Sequence, residues 1–145
     1  MVSVIGLGYV GLPLAVEFAR NGFKVIGIDL DPRKVTSINA GKSYIPDVPT
    51  EEVARFVKAG LLKATTDYAA LAEADAISIC VPTPLHKTRD PDMSYVIASS
   101  DEIARHAHPG MLIVLESTTY PGTTGDILLP RLNQRGFTVG VDVFL

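Results

Sequence analysis

Gly6-Leu7-Gly8-Tyr9-Val10-Gly11 sets three glycines at a spacing suited to holding the diphosphate of a dinucleotide. Each position has its own requirement. Gly6 permits a tight turn, Gly8 removes a Cβ that would collide with the diphosphate, and Gly11 lets a helix pack closely on the preceding strand. The free backbone N–H groups of such a loop, with the positive end of the helix, then face the phosphates. A glycine-rich turn without a ligand has the same composition, so the flanking residues decide between the two. Val2 to Ile5 is largely apolar, without the two-residue alternation of a half-exposed strand, and Val10 to Arg20 carries apolar residues at helical spacing. Asp29 follows Gly11 by eighteen residues and ends a second apolar run. That is close to the ~20-residue offset at which a carboxylate meets the adenosine ribose. A carboxylate there accepts from the 2′- and 3′-hydroxyls and repels a 2′-phosphate, favouring NAD over NADP. Arg33, four residues further on, is either a cover for the adenine or a solvated helix arginine.

Two hydroxyl-rich segments follow later apolar runs. Pro82-Thr83-Pro84 fixes its backbone with two prolines and presents Thr83 to a cleft. Glu116-Ser117-Thr118-Thr119-Tyr120-Pro121-Gly122-Thr123-Thr124 opens a helix, so a cap is expected at Thr123 or Thr124. One cap suffices for a helix, which leaves Ser117 to Thr119 in surplus. Parallel sheets bind ligands beyond the carboxyl ends of their strands, where both segments fall.

Other chemistry-bearing residues are read as structural. Cys80, between Ile79 and Val81, is a small buried apolar residue, and being alone it excludes an internal disulfide. His106 and His108 lie two apart at a helix end, on different faces, and His86 belongs to a polar loop, so the three histidines form no metal set. No Ser-His-Asp or Cys-His constellation can be assembled. Tyr44 and Tyr95 are read as packing residues; Glu51, Glu52, Asp90 and Asp92 as helix-start or loop carboxylates.

The elements that must position these residues alternate regularly. Strands are expected at Val2–Ile5, Lys24–Asp29, Leu61–Thr65, Ala76–Val81, Met111–Leu115 and Phe137–Val141. Helices are expected at Val10–Arg20, from Asp31-Pro32 to about Ala40, Thr50–Gly60, Thr66–Glu73, Met93–His106 and Gly122–Arg135. Strand–helix units without hairpin signals imply an α/β fold, a doubly wound parallel sheet of the Rossmann type. The 145 residues suit one domain, and 47% hydrophobic content with mean hydropathy +0.26 excludes a disordered chain. A net charge of −3 argues against a nucleic-acid surface, and no apolar run approaches the ~20 residues of a membrane span. The opening residues lack a basic stretch before an apolar core, so a cytoplasmic location is expected rather than a secretory one.

Taken together, four segments resemble the nucleotide-sugar 6-dehydrogenases. They are Val4-Ile5-Gly6-Leu7-Gly8-Tyr9-Val10-Gly11-Leu12-Pro13, Val81-Pro82-Thr83-Pro84, Asp90-Pro91-Asp92-Met93-Ser94-Tyr95-Val96 and Glu116-Ser117-Thr118. The resemblance runs through nearly the whole chain, and Pro91-Asp92-Met93-Ser94-Tyr95 and Glu116-Ser117-Thr118-Thr119-Tyr120-Pro121-Gly122 are most similar to the branch acting on UDP-N-acetylglucosamine or UDP-N-acetylmannosamine. It implies that Tyr9, Val10, Asp29, Thr83 and Thr118 touch NAD, and that Thr118 also helps to place a catalytic water. It implies two NAD-dependent oxidations at C6, from alcohol to aldehyde to acid, the second through a cysteine thiohemiacetal and thioester. The family's cysteine, lysine and asparagine have no counterpart in this sequence. Residues 1–145 are therefore expected to be an NAD-binding domain of a longer, homo-oligomeric enzyme, with helical and sugar-nucleotide domains to follow. Two alternatives remain open: the cofactor half of a hydroxy-acid dehydrogenase, and a non-catalytic NAD(H)-responsive module.

Overall fold

A computed structural model describes residues 1–85 and 91–145. Five strands, β1 (Val2–Ile5), β2 (Val25–Ile28), β3 (Leu62–Thr65), β4 (Ala76–Ile79) and β5 (Leu112–Leu115), pair in parallel in the order β3-β2-β1-β4-β5. All four residues of β1 and of β2 are buried, which is why these strands read as continuous apolar runs. Ser3, the one polar residue among them, donates its hydroxyl to the Ile26 carbonyl at 3.1 Å.

Successive side chains of a strand point to opposite faces. On one face Val4 shares a buried core with Leu12 and Val16 of α1 (Gly11–Arg20), Ile38 of α2 (Pro32–Asn39) and Phe56 of α3 (Thr50–Lys58). On the other, Ile5, Ile77, Ile79 and Ile113 meet Ile103 of α4 (Ser94–His106) and Leu132 of α5 (Leu129–Gln134). The expected doubly wound sheet is thus the observed one.

Local signals set the helix ends. Pro13 falls in the first turn of α1, where its missing N–H has no intrahelical partner to lose. Gly22, at φ 86°, closes α1: its N–H reaches the Ala19 carbonyl, the Phe23 N–H reaches the Phe18 carbonyl, and the two phenyl rings meet edge to face. The Asp31 carboxylate caps α2 by accepting from the Arg33 N–H at 2.9 Å, with Pro32 in the first helical position.

Three elements differ from the sequence expectation. The short helix over Thr66–Glu73 is a 3₁₀ helix, Tyr68–Glu73, capped by Asp67. The single helix expected over Gly122–Arg135 is a π-helical turn, Thr124–Leu128, followed by α5. Pro130 accounts for this, since it lacks the N–H for an i→i−4 bond and its ring crowds the carbonyl four residues back. Neither Thr123 nor Thr124 supplies a side-chain cap; Thr123 donates to the Tyr120 carbonyl at 2.6 Å. The strand expected at Phe137–Val141 does not form. Gly140 adopts φ 88° inside a turn that the Asp142 N–H and carboxylate close on Thr138. The edge of β5 is met instead by Phe144, whose N–H donates to the Met111 carbonyl and whose carbonyl accepts from the Ile113 N–H.

Candidate functional site

β1 and β4 lie side by side, and the chain winds outward from them in opposite directions. Their carboxyl ends therefore bound the crevice at the switch point of the sheet. The loop after β1 passes so close to the end of β4 that a Cβ on Gly6 would lie 2.6 Å from the Cys80 carbonyl oxygen, and Gly6 itself has φ 88°. A Cβ on Gly11 would lie 1.7 Å from the Gly6 carbonyl oxygen and 3.2 Å from the Cys80 Cβ. Gly11 is thus required chiefly by the glycine turn that α1 sits on. Gly8 is different, for a Cβ there meets no protein atom within 4 Å. Nothing among the described residues demands glycine at that position; the space left open faces a groove of about 360 Å³.

Six residues singled out in the sequence line that groove together with Gly8: Gly6, Tyr9, Val10, Asp29, Thr83 and Thr118. No side chain among the described residues caps α1; the Leu12 N–H donates to the Gly8 carbonyl at 3.1 Å, and the other N–H groups at this helix start are left for a ligand oxygen. Asp29 is held at the end of β2 by three donors. Its Oδ2 accepts from the Leu7 N–H at 2.9 Å and from Lys34 Nζ at 3.0 Å, and its Oδ1 accepts from the Asp31 N–H at 2.9 Å. A carboxylate offers ~four acceptor directions, so one remains for a ribose hydroxyl.

Lys34 was not anticipated. Arg33 and Lys34 are successive residues in the first turn of α2, and only one of the two can turn toward the end of β2. It is Lys34. Arg33 folds back on Asp31 through Nε at 3.0 Å and Nη2 at 2.8 Å, and lines a separate depression with Thr36 and Ser37. These contacts from Arg33 hold the Asp31 carboxyl down to about 2. Arg33 is therefore not brought into the groove with the other candidates.

The two hydroxyl-rich loops are tied to each other. Thr83 Oγ1 donates to the Thr118 carbonyl at 2.7 Å. Ser117 Oγ donates to the Val81 carbonyl at 2.8 Å, which explains one of the surplus hydroxyls. The Thr118 hydroxyl has no partner among the described residues, and Thr118 stands six residues before the π-helical turn, too far to cap it.

Beside the groove, and sharing Gly6, Asp29, Lys34, Val81 and Pro82 with it, is an apolar pocket of about 140 Å³ lined also by Ile28, Leu30, Tyr68, Tyr95 and Ser99. Tyr95, read as a packing residue, has an exposed side chain at this pocket. Cys80 lies beneath the glycine turn, and burial pushes its thiol up, as fits a structural cysteine. His106 ends α4 beside Glu102, while His108 sits against the Ala74 and Pro109 carbonyls. His86 and Asp90 lie outside the described residues; among those described, no group of three His, Cys, Asp or Glu residues could hold a metal. Among the described residues, no helix is long and apolar enough to cross a membrane.

The space Gly8 leaves open and the acceptor Asp29 leaves unused are what the diphosphate and ribose of a dinucleotide need. Fold and site together define a dinucleotide-binding domain of the doubly wound class. Comparison with known proteins makes this specific: residues 1–144 match the UDP-glucose/GDP-mannose dehydrogenase family, NAD binding domain, and the chain belongs to that family. Over 124 residues, 85% of this chain and 29% of the relative, it is 44% identical to UDP-N-acetyl-D-mannosamine dehydrogenase of Salmonella typhi. The crystal structure of GDP-mannose dehydrogenase from Pseudomonas aeruginosa superposes with a TM-score of 0.91 at 34% identity, covering 98% of this chain and 34% of that one. That of NDP-N-acetyl-D-galactosaminuronic acid dehydrogenase from Methanosarcina mazei gives 0.90 at 35%, covering 98% and 32%. The chain thus spans about a third of the length of the relatives it matches.

Proposed function

We propose that this chain holds NAD for a nucleotide-sugar 6-dehydrogenase that oxidises a UDP-N-acetylhexosamine to its uronic acid in two steps. The observation that carries this reading is the bond from Thr83 to the Thr118 carbonyl, which sets both hydroxyl loops at one end of the groove that Gly8 and Asp29 also line. Gly6, Gly8, Tyr9 and Val10, with Gly11 at the start of α1, would hold the diphosphate, Asp29 with Lys34 the adenosine ribose, and the apolar pocket the adenine. Arg33 touches the bound cofactor only by swinging away from Asp31. Bound NAD supplies the two-electron acceptor for the alcohol carbon.

Thr118 is the residue of this chain nearest the chemistry. Its free hydroxyl donates one hydrogen bond and accepts others, so it can hold the nicotinamide end and orient a water together. A threonine hydroxyl is too weak an acid or base at neutral pH to move protons unaided, so its work is positioning. Cys80 is buried under the glycine turn with its thiol pKa raised, unsuited to capture an aldehyde. The covalent stage accordingly falls to a cysteine outside these residues, and the 145-residue chain alone is inactive. The N-acetyl sugars named for the Salmonella typhi and Methanosarcina mazei relatives support the choice of substrate.

Calorimetry with both cofactors tests the cofactor reading: NAD should bind more tightly than NADP, and equal or tighter NADP binding refutes it. NADH formation from UDP-sugars by the purified chain would refute the assignment of chemistry to another segment.

A further inference from the structure

Leu7 is the middle residue of the first glycine turn, and the fold grips it on three sides. Its side chain is fully buried in the hollow over Gly27, where a Cβ would lie 2.7 Å from both Leu7 methyl carbons. Its N–H is bound by Asp29. Its carbonyl accepts from the Tyr44 hydroxyl at 2.6 Å, a contact that spans 37 residues of sequence. Tyr44 does not line the groove; it reaches the back of the glycine turn from the loop between α2 and α3. That loop is anchored, since Ile45 and Val48 are buried against the core and the Ser43 N–H is held by Thr50 Oγ1.

From this grip we infer that Tyr44 is a positioning residue for the dinucleotide diphosphate: by holding the Leu7 carbonyl at the back of the turn, it aims the Gly8 N–H into the groove. The inference rests on the NAD reading above. The physical link is the peptide plane. The peptide bonds are trans, so the C=O of Leu7 and the N–H of Gly8 point in opposite directions across one rigid unit. Gly8 lacks the Cβ that would restrain rotation about its side of this unit, and no protein atom lies within 4 Å of where that Cβ would be. Without the hydroxyl, the Leu7 carbonyl has no other donor among the described residues, and the plane can turn between its held neighbours to present a carbonyl dipole to the phosphates. Tyr44 thus supplies to the Leu7–Gly8 unit the rigidity that its glycine gives up.

The test replaces Tyr44 by Phe, removing only the hydroxyl, and follows ADP-ribose and adenosine binding by NMR titration of the 145-residue chain. Tyr44→Phe should weaken ADP-ribose about tenfold, equivalent to ~1.4 kcal/mol. Adenosine, which has no diphosphate, should change less than twofold. Unchanged ADP-ribose binding, or equal losses for both ligands, overturns the inference, because a merely structural contact does not distinguish them. A second measurement needs no variant: in the wild-type chain the Gly8 amide resonance should shift strongly with ADP-ribose and little with adenosine. A Gly8 amide indifferent to ADP-ribose overturns the inference even if Tyr44→Phe does not fold. If the wild-type chain binds neither ligand, the NAD reading fails and this inference falls with it.

Discussion

Gly8 and Gly11 differ in why they must be glycine, and replacing each by alanine separates a ligand's demand from the fold's. A Cβ at Gly11 would lie 1.7 Å from the Gly6 carbonyl oxygen and 2.9 Å from its carbon. Both atoms are backbone, so the start of α1 must move by more than an ångström to admit the methyl. Overpacking of this kind costs ~1–3 kcal/mol, and more where the neighbour cannot yield. Gly11→Ala should therefore lower the urea midpoint clearly and disturb the groove as well. At Gly8 the added methyl meets nothing within 4 Å, and the backbone is not in the left-handed region. Its effect on stability should stay within ~0.5 kcal/mol, or be slightly favourable because alanine restricts the unfolded chain. NAD affinity should nevertheless fall by at least about tenfold, ~1.4 kcal/mol, because the methyl occupies the diphosphate's place. Urea unfolding and calorimetry on the same samples give both numbers. The reasoning is refuted if Gly8→Ala destabilises the chain as much as Gly11→Ala, or if Gly8→Ala binds NAD like the wild type.

Three other outcomes are expected. Asp29→Ala should weaken NAD, narrow its advantage over NADP, and cost ~1–3 kcal/mol of stability, because the Leu7 and Asp31 N–H groups and Lys34 lose their acceptor; parallel calorimetry and urea melts measure this. Thr118→Ala should leave the melting temperature nearly unchanged, its hydroxyl being unpaired among the described residues, while turnover or NAD affinity of the complete enzyme falls by more than about tenfold; a stability loss with intact kinetics refutes the positioning role. Burial, with Asp29 and Asp31 nearby, pushes the Tyr44 phenol well above its ordinary ~10, and burial raises Tyr68 as well. A raised folded value means stability that is complete below ~10 and lost as pH rises through the folded values. Ultraviolet titration should show a late tyrosine phase that Tyr44→Phe diminishes; an unchanged late phase contradicts the burial argument.

The features legible from the residues alone are local. The spacing of Gly6, Gly8 and Gly11, the position of Asp29, the Asp31-Pro32 helix start and the largely apolar strands are each read within a few residues; the structure sets Gly6, Gly8 and Asp29 along one groove and Asp31 at the start of α2. Pro130 was equally local, and its missing N–H accounts for the π-helical turn that a single helix over Gly122–Arg135 overlooked. The β-branched run near Val139 and Val141 suggested a strand, but Gly140 turns the chain there, and pairing with β5 passes to Phe144. The remaining contacts arise from the packing of distant segments. Tyr44 meets Leu7 across 37 residues, and Thr83 meets Thr118 across 35. Both contacts depend on elements that the packed sheet brings together, with Thr83 and Thr118 meeting because β4 and β5 pair in register. The choice of Lys34 over Arg33 at Asp29 likewise depends on how the first turn of α2 faces the end of β2. A residue's type limits the bonds it can make; the packed sheet determines which partner is near enough to make them.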